Sequence, residues 1–390
     1  MKQLLVLIFV VFAFLGCNQK QVVQLKMPGQ KSSVAQQSVP KQMEEDKVTV
    51  VEEFTPVEVL ETDIKEQIIN NSGSKNEILE ADEKFADIDM TKANINLAFV
   101  YPTALSKYAK SSINTVAGYL SFKNAQYNLT VIETPDENYK SIEDAFLKLN
   151  NTDNKNIIAL FSPKAINSLS KIVNSNFKVY LPLIEKKESL ENNNNLIFGS
   201  ISYEEQLKKL SYYANGNNIL FYQDTYLSRN IKKAYDNVVS SGIEREINNN
   251  EKNFKGLIGG LGGSSLYLNL DIVKSSLVLS QLRANDIYPA FIFATQSNYD
   301  LNLLTLTQEE DRKKLIIANS IGEVDKKLKD EINSMGADLN FSWVDYSTLV
   351  GVNYLINGNN SLIPTKVENN EAIYVPRLYK STGFGFVEIK

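Results

Sequence analysis

Between residues 95 and 120 the hydrophobic period of the chain changes once, and that change constrains the fold more than any other feature. Asn96-Leu97-Ala98-Phe99-Val100 is a nearly unbroken apolar run, the pattern of a parallel strand covered on both faces. A turn at Tyr101-Pro102-Thr103 follows. Leu105, Tyr108, Ala109, Ile113, Val116, Ala117 and Leu120 then recur at steps of three and four, which is one face of a helix. Strand, turn and helix in this order open a βα series.

The alternation continues to the end of the chain. Further strands are expected at 127–132, 156–161, 178–183, 196–199, 218–222, 266–270, 290–294 and 315–318. Helices are expected at 136–149, 203–214, 226–240, 273–284, 328–335 and 344–356, with Pro163 placed to open another. Residues 374–390 alternate as a hairpin around Ser381-Thr382-Gly383. Strands separated by helices of this length imply βαβ units and a mainly parallel sheet. About 300 residues exceed one such sheet, so the expected class is α/β with two lobes, each a mainly parallel sheet flanked by helices.

Two absences narrow the chemistry. There is no histidine, which removes His general bases, Ser-His-Asp triads and His-ligated metals. The single cysteine, Cys17, precedes the βα series, so the expected folded part has no disulfide, thiol nucleophile or Cys-ligated metal. The reading is of a non-enzyme without cofactor or metal. The net charge of −5 offers no basic surplus for nucleic acid.

The amino-terminal region is of another kind. Lys2 is followed by an apolar run from Leu4 to Leu15, too short to span a bilayer and suited to a signal peptide. It ends in Phe14-Leu15-Gly16-Cys17, which resembles the bacterial lipoprotein signal, in which a Leu-x-Gly/Ala-Cys box is cut before a cysteine that becomes lipidated. The resemblance implies that residues 1–16 are removed and that Cys17 carries the lipid. Asn18 in place of Asp implies onward transport to an outer membrane, facing the periplasm. From residue 44 to 89, fifteen acidic residues stand against four lysines with few aromatics, so 17–92 is expected to be a disordered tether. As a coil, some 75 residues would average about 50 Å end to end. Val48-Thr49-Val50-Val51 and Val57-Glu58-Val59-Leu60 alternate like short strands inside it, although a plain spacer explains them as well.

The globular part resembles the type I periplasmic-binding-protein family, the two-lobed leucine-binding-like proteins. The resemblance rests on the INLAFVYP opening, a third strand ending at Ser162 and a fourth ending at Pro182. It rests also on LIFGSIS as a crossing between lobes, and on YPAFIFATQSNYD and KKLIIANSIGE as the late strand and the crossing back. It implies lobe 1 from 93–202, lobe 2 from 203–321, a return to lobe 1 over 322–360 and a carboxy-terminal hairpin at 361–390. With a lipid anchor and tether, the chain is similar by design to the penicillin-binding-protein activator lipoproteins, although their helical-repeat domain is missing. That likeness implies a regulatory module for an envelope machine such as a peptidoglycan synthase. The other function implied is a solute receptor for an amino acid or similar small molecule, feeding an importer.

In such folds a ligand lies between the lobes at the carboxyl ends of the strands. That implies Tyr101, Thr103 and Ser162 in lobe 1, and Gln223, Asp224, Gln296 and Ser297 in lobe 2. Amino-acid-binding relatives hold the ligand carboxylate with hydroxyls and backbone N–H groups, and its amine with an acid, so Ser162 and Asp224 would fill these roles. A plainer reading, which these residue types alone favour, has Ser162 capping a helix and Asp224 in a solvated turn. Gly256 to Gly263, GLIGGLGG, lacks the spacing and the GK[ST] ending of a phosphate loop and reads as a hinge or loop. Glu309-Glu310-Asp311 before Arg312-Lys313-Lys314 reads as a solvated helix start. Trp343, with Phe341 and Tyr346, reads as core, with a partner anchor as the alternative.

Overall fold

A computed structural model describes residues 94–190, 192–239 and 242–389. The signal sequence, Cys17 and the segment to residue 92 lie outside the described residues.

The strands are β1 (Asn94–Pro102), β2 (Gln126–Thr134), β3 (Asn156–Ala159), β4 (Lys178–Leu181), β5 (Leu196–Phe198), β6 (Asn218–Gln223), β7 (Ile243–Ile247), β8 (Ser265–Asn269), β9 (Phe291–Ala294), β10 (Leu315–Asn319), β11 (Lys366–Glu368), β12 (Glu371–Ile373), β13 (Arg377–Ser381) and β14 (Phe386–Glu388). The helices are α1 (Ser106–Phe122), α2 (Tyr139–Asn150), α3 (Ile166–Ile172), α4 (Tyr203–Ser211), α5 (Tyr226–Val238), α6 (Lys255–Ile258), α7 (Ile272–Ala284), α8 (Leu301–Leu306), α9 (Lys326–Ser334) and α10 (Trp343–Asn357).

They form two seven-stranded sheets, ordered β11-β12-β5-β4-β3-β1-β2 and β14-β13-β10-β9-β8-β6-β7. Strands β1 to β5 run parallel, as do β6 to β10. Burial on both faces explains their composition. Leu97 and Phe99 of β1 enter the core shared with α1, α9 and α10, while Ala98 and Val100 enter the opposite core under α2 and α3. The second sheet repeats the arrangement, with Leu315 and Ile317 of β10 on one face and Ile316 and Ala318 on the other.

Three elements depart from expectation. Strand β7, Ile-Glu-Arg-Glu-Ile, carries charge through its middle because it is the edge of its sheet, and only Ile247 is buried. The final segment, read as one hairpin, holds two. Strands β11 and β12 join the first sheet, then residues 374–376 cross over, and the second is completed by β13, antiparallel to β10, and by β14, antiparallel to β13. The acidic-basic cluster is not wholly solvated: Glu309 and Glu310 are exposed, but Asp311 and Arg312 are buried. Asp311 accepts from Arg283 and from Ser280 Oγ (3.0 Å), and Arg312 donates to Thr307 O at 2.6 Å and Thr382 O at 3.2 Å. Arg312 thereby clasps the last turn.

The glycine-rich stretch ends α6 and turns, with Gly260 and Gly263 at φ of +80° and +71°, where a side chain would be strained. Arg245 of β7 donates to Leu257 O and holds this loop against the sheet edge.

Candidate functional site

In each sheet the chain first moves outward and then doubles back, so strand order reverses between β1 and β3 and again between β6 and β8. The carboxyl ends of those strands are the switch points at which α/β sheets receive ligands. Tyr101 and Ser162 stand at the first, and Gln223 and Asp224 at the second. The two face each other, since the Lys164 ammonium lies 5.8 Å from the centroid of the Tyr226 ring across the gap between lobes.

Equivalent positions carry equivalent chemistry. Tyr101 lies directly across from Glu133 in the β1–β2 register and donates its hydroxyl to it at 3.4 Å. Tyr222 lies across from Glu246 in the β6–β7 register and does the same at 3.3 Å. Burial, then the neighbouring carboxylate, raises both phenol pKa values.

Ser162 sits at the amino-terminal position of the turn leading to α3, but its hydroxyl does not cap that turn. Its N–H and Oγ–H both donate to the Glu137 carboxylate, at 2.5 and 2.6 Å. Exposed Thr103 donates to Thr134 O at 3.2 Å.

Gln223 is buried and fully used. Its N–H donates to Ser228 Oγ, its Oε1 accepts from the Asp271 N–H at 2.6 Å, and its Nε2 donates to Asp271 Oδ2 at 2.9 Å and Asn249 Oδ1 at 3.3 Å. Asp224 is exposed and ion-paired with Arg229 of the following helix.

Gln296 lies inside lobe 2 in a ring of three side chains. Its N–H donates to Gln206 Oε1 (2.8 Å), Gln206 Nε2 donates to Ser320 Oγ (2.7 Å), and the Ser320 N–H donates to Gln296 Oε1 (2.6 Å). Ser297 shares a hydrogen bond with Thr295 Oγ1 at 3.1 Å. The structure therefore brings Tyr101, Thr103 and Ser162 to one switch point and Gln223 and Asp224 to the other, while Gln296 braces a lobe.

The residues that sequence reasoning missed are Glu137, Asp271 and Asn249. Local signals existed for two of them. Asp136 accepts the Asn138 N–H at 3.0 Å, an Asx turn that projects Glu137, and Asp271 caps α7 by accepting the Lys274 N–H at 2.9 Å.

Two cavities flank this region. One, of about 650 Å³, opens beside Asn249–Lys252, Asp271–Lys274 and Leu277 at the ends of β7 and β8, with the Lys274 ammonium donating to Asn249 O at 2.7 Å. The other, of about 290 Å³, lies where the chain passes between lobes, against Glu185, Lys187, Ser200, Glu204, Ser320 and Tyr374. Lys187 pairs there with Glu185 and Glu204 at 3.0 and 3.2 Å. None of the seven sequence-derived cleft residues lines either cavity.

Three segments join the lobes, after β5, β10 and β12. Tyr374 of the third donates to Gly199 O of the first at 2.6 Å, and Ser347 of α10 donates to the same oxygen at 2.7 Å. A Cβ on Gly199 would come within 2.4 Å of the Tyr180 ring, and one on Gly322 within 2.2 Å of the Tyr346 hydroxyl. Trp343 packs against the cores of both lobes, which seats it in the hinge.

No protein-family model matches the sequence, and no curated protein matches it. Solved structures do match. A branched-chain amino acid ABC transporter periplasmic ligand-binding protein from Burkholderia xenovorans LB400 superimposes with a TM-score of 0.59 at 8% identity, over 76% of this chain and 95% of that one. An ABC transporter substrate-binding protein from Sphaerobacter thermophilus gives 0.57 at 9% identity, over 76% and 96%. The branched-chain amino acid transporter substrate-binding protein of Streptococcus pneumoniae, in complex with isoleucine, gives 0.55 at 11% identity, over 76% and 100%. The fold is that of the type I periplasmic binding proteins.

These neighbours are named as binding proteins, not enzymes, and the type I periplasmic-binding-protein fold accounts for the two lobes and their three crossings. Among the described residues, no helix is long and apolar enough to cross a membrane.

Proposed function

We propose that this chain is a non-catalytic solute-binding protein that takes a small molecule between its lobes. The observation that carries this reading is the facing pair of switch points, brought within contact by Lys164 and Tyr226. The fold likeness to ABC-transporter binding proteins supports it, and favours the receptor reading over the peptidoglycan-synthase regulator. Lipidation of Cys17, a tether over 17–92 and an outer-membrane, periplasm-facing location complete the proposal and rest on the sequence alone.

Thermal denaturation of the full chain against a panel of amino acids, small peptides, amines and polyols tests it. A ligand present at 100 times its Kd should add about 2.7 kcal/mol of stability, a clear rise in Tm. Silence across every class would sink the receptor reading. The regulator reading would then be pursued by crosslinking in cells, where a peptidoglycan synthase should be captured if it is the partner.

A further inference from the structure

We infer that Glu137 is a specificity-determining residue that closes the lobe 1 switch point to carboxylate ligands and turns it into an acceptor for ligands that donate. The inference rests on the solute-binding reading above. At that switch point one residue, Ser162, offers two convergent donors, its N–H and its Oγ–H, a geometry suited to the two oxygens of one carboxylate. Both donors are already engaged by the chain's own carboxylate, one oxygen each, at 2.5 and 2.6 Å. A ligand carboxylate arriving there meets a carboxylate, not a pair of donors.

Glu137 is held in place from its own loop. Asp136 accepts from the Asn138 N–H at 3.0 Å and from Asn138 Nδ2 at 2.7 Å, while Thr134 Oγ1 donates to Asp136 O at 2.8 Å. The opposite switch point is filled in a parallel way but with a neutral group. There the backbone N–H of Asp271, two residues after β8, donates to the Gln223 side-chain amide.

Across these strand ends, Glu133, Glu137, Asp224 and Asp271 stand against Lys164, Arg229 and Lys274, with Arg229 committed to Asp224 and the Lys274 ammonium to Asn249 O. The surface left for a ligand is rich in acceptors. The ligand class that fits is an amine or a hydroxyl-rich molecule without a carboxylate.

The test uses the full chain as wild type, Glu137→Ala, Glu137→Gln and Glu137→Ala/Ser162→Ala, titrated calorimetrically with leucine and acetate as carboxylate probes, and with putrescine and a neutral hexose as carboxylate-free probes. Glu137→Ala frees the Ser162 donors and should bind a carboxylate probe at least tenfold more tightly than wild type. Adding Ser162→Ala should erase that gain. Glu137→Gln removes the charge, keeps one acceptor for Ser162 and adds a donor, so its affinity for carboxylates should fall between those of wild type and Glu137→Ala, a graded order that misfolding would not produce. Leucine binding wild type as tightly as Glu137→Ala would overturn the inference. So would the absence of any gain in Glu137→Ala while a carboxylate-free probe binds wild type, an outcome that leaves the solute-binding reading standing. Silence of every protein toward all four probes would overturn the inference along with the reading beneath it.

Discussion

Tyr374 donates its hydroxyl to the carbonyl oxygen of Gly199 at 2.6 Å, fastening the last passage between lobes to the first. Both residues lie on the segments about which the lobes must turn, so this bond acts on lobe geometry as well as stability. Tyr374→Phe leaves Gly199 O with the Ser347 hydroxyl and should cost about 1 kcal/mol, read as a lower urea midpoint with an unchanged slope.

Gly351 lies within helix α10, where alanine is ordinarily the better helix former by about 1 kcal/mol. Here a Cβ would lie 2.3 Å from the fully buried Tyr180 ring. Overpacking of a rigid ring costs about 1–3 kcal/mol, so the clash wins and Gly351→Ala should lower Tm. The double variant Gly351→Ala/Tyr180→Ala should be less destabilised than the sum of the two single variants, because the ring that creates the clash is gone.

Asp345 is a buried carboxyl that accepts from Ser111 Oγ at 2.5 Å and from the Asp338 N–H at 3.0 Å, and burial raises its pKa. A folded-state pKa above the unfolded one means that its contribution is fully present below the ordinary aspartate value and is lost as pH rises through the folded value. Asp345→Asn cannot ionise and keeps an acceptor. Its Tm relative to wild type should therefore climb as pH rises from that of an ordinary aspartate toward 8. A flat difference across that range would show that Asp345 carries no such penalty.

Lys164 over Tyr226 is a contact of an exposed lysine with an exposed ring, worth about 0.5–1 kcal/mol. If it forms only when the lobes close on a ligand, Lys164→Ala should weaken binding by about two- to fivefold while leaving the Tm of the free protein unchanged, measured by calorimetry and melting in parallel.

The scaffold was legible in the sequence where burial is symmetric. Strand β1 and strand β10 are covered on both faces, so their apolar runs are unmistakable, and helices α1 and α2 show their periods directly. Strand β7 was not legible, because at a sheet edge its Glu244, Arg245 and Glu246 meet water or neighbouring loops rather than core. The final crossing was missed for a related reason. Three-residue strands such as β11, β12 and β14 carry too few positions to show which sheet they join. At the cleft, strand ends could be placed, but not their occupants. Glu137 lies 25 residues from Ser162 and is one acid among several in a polar turn. The Asx turn at Asp136 marks the loop that projects Glu137, but its meeting with Ser162 depends on the three-dimensional path of that loop.

The two terminal hairpins set an order on how the molecule can be made. During translation, residues 94 to 198 and 218 to 319 emerge first and supply the parallel strands, but β13, which covers β10, is among the last segments to leave the ribosome. Until then the newborn chain presents Leu315-Ile316-Ile317-Ala318 as an open apolar edge, a template for pairing with another chain. A stop codon shortly after residue 373 would strand every copy in that state. Such a truncation should yield aggregates rather than a protein with one working lobe.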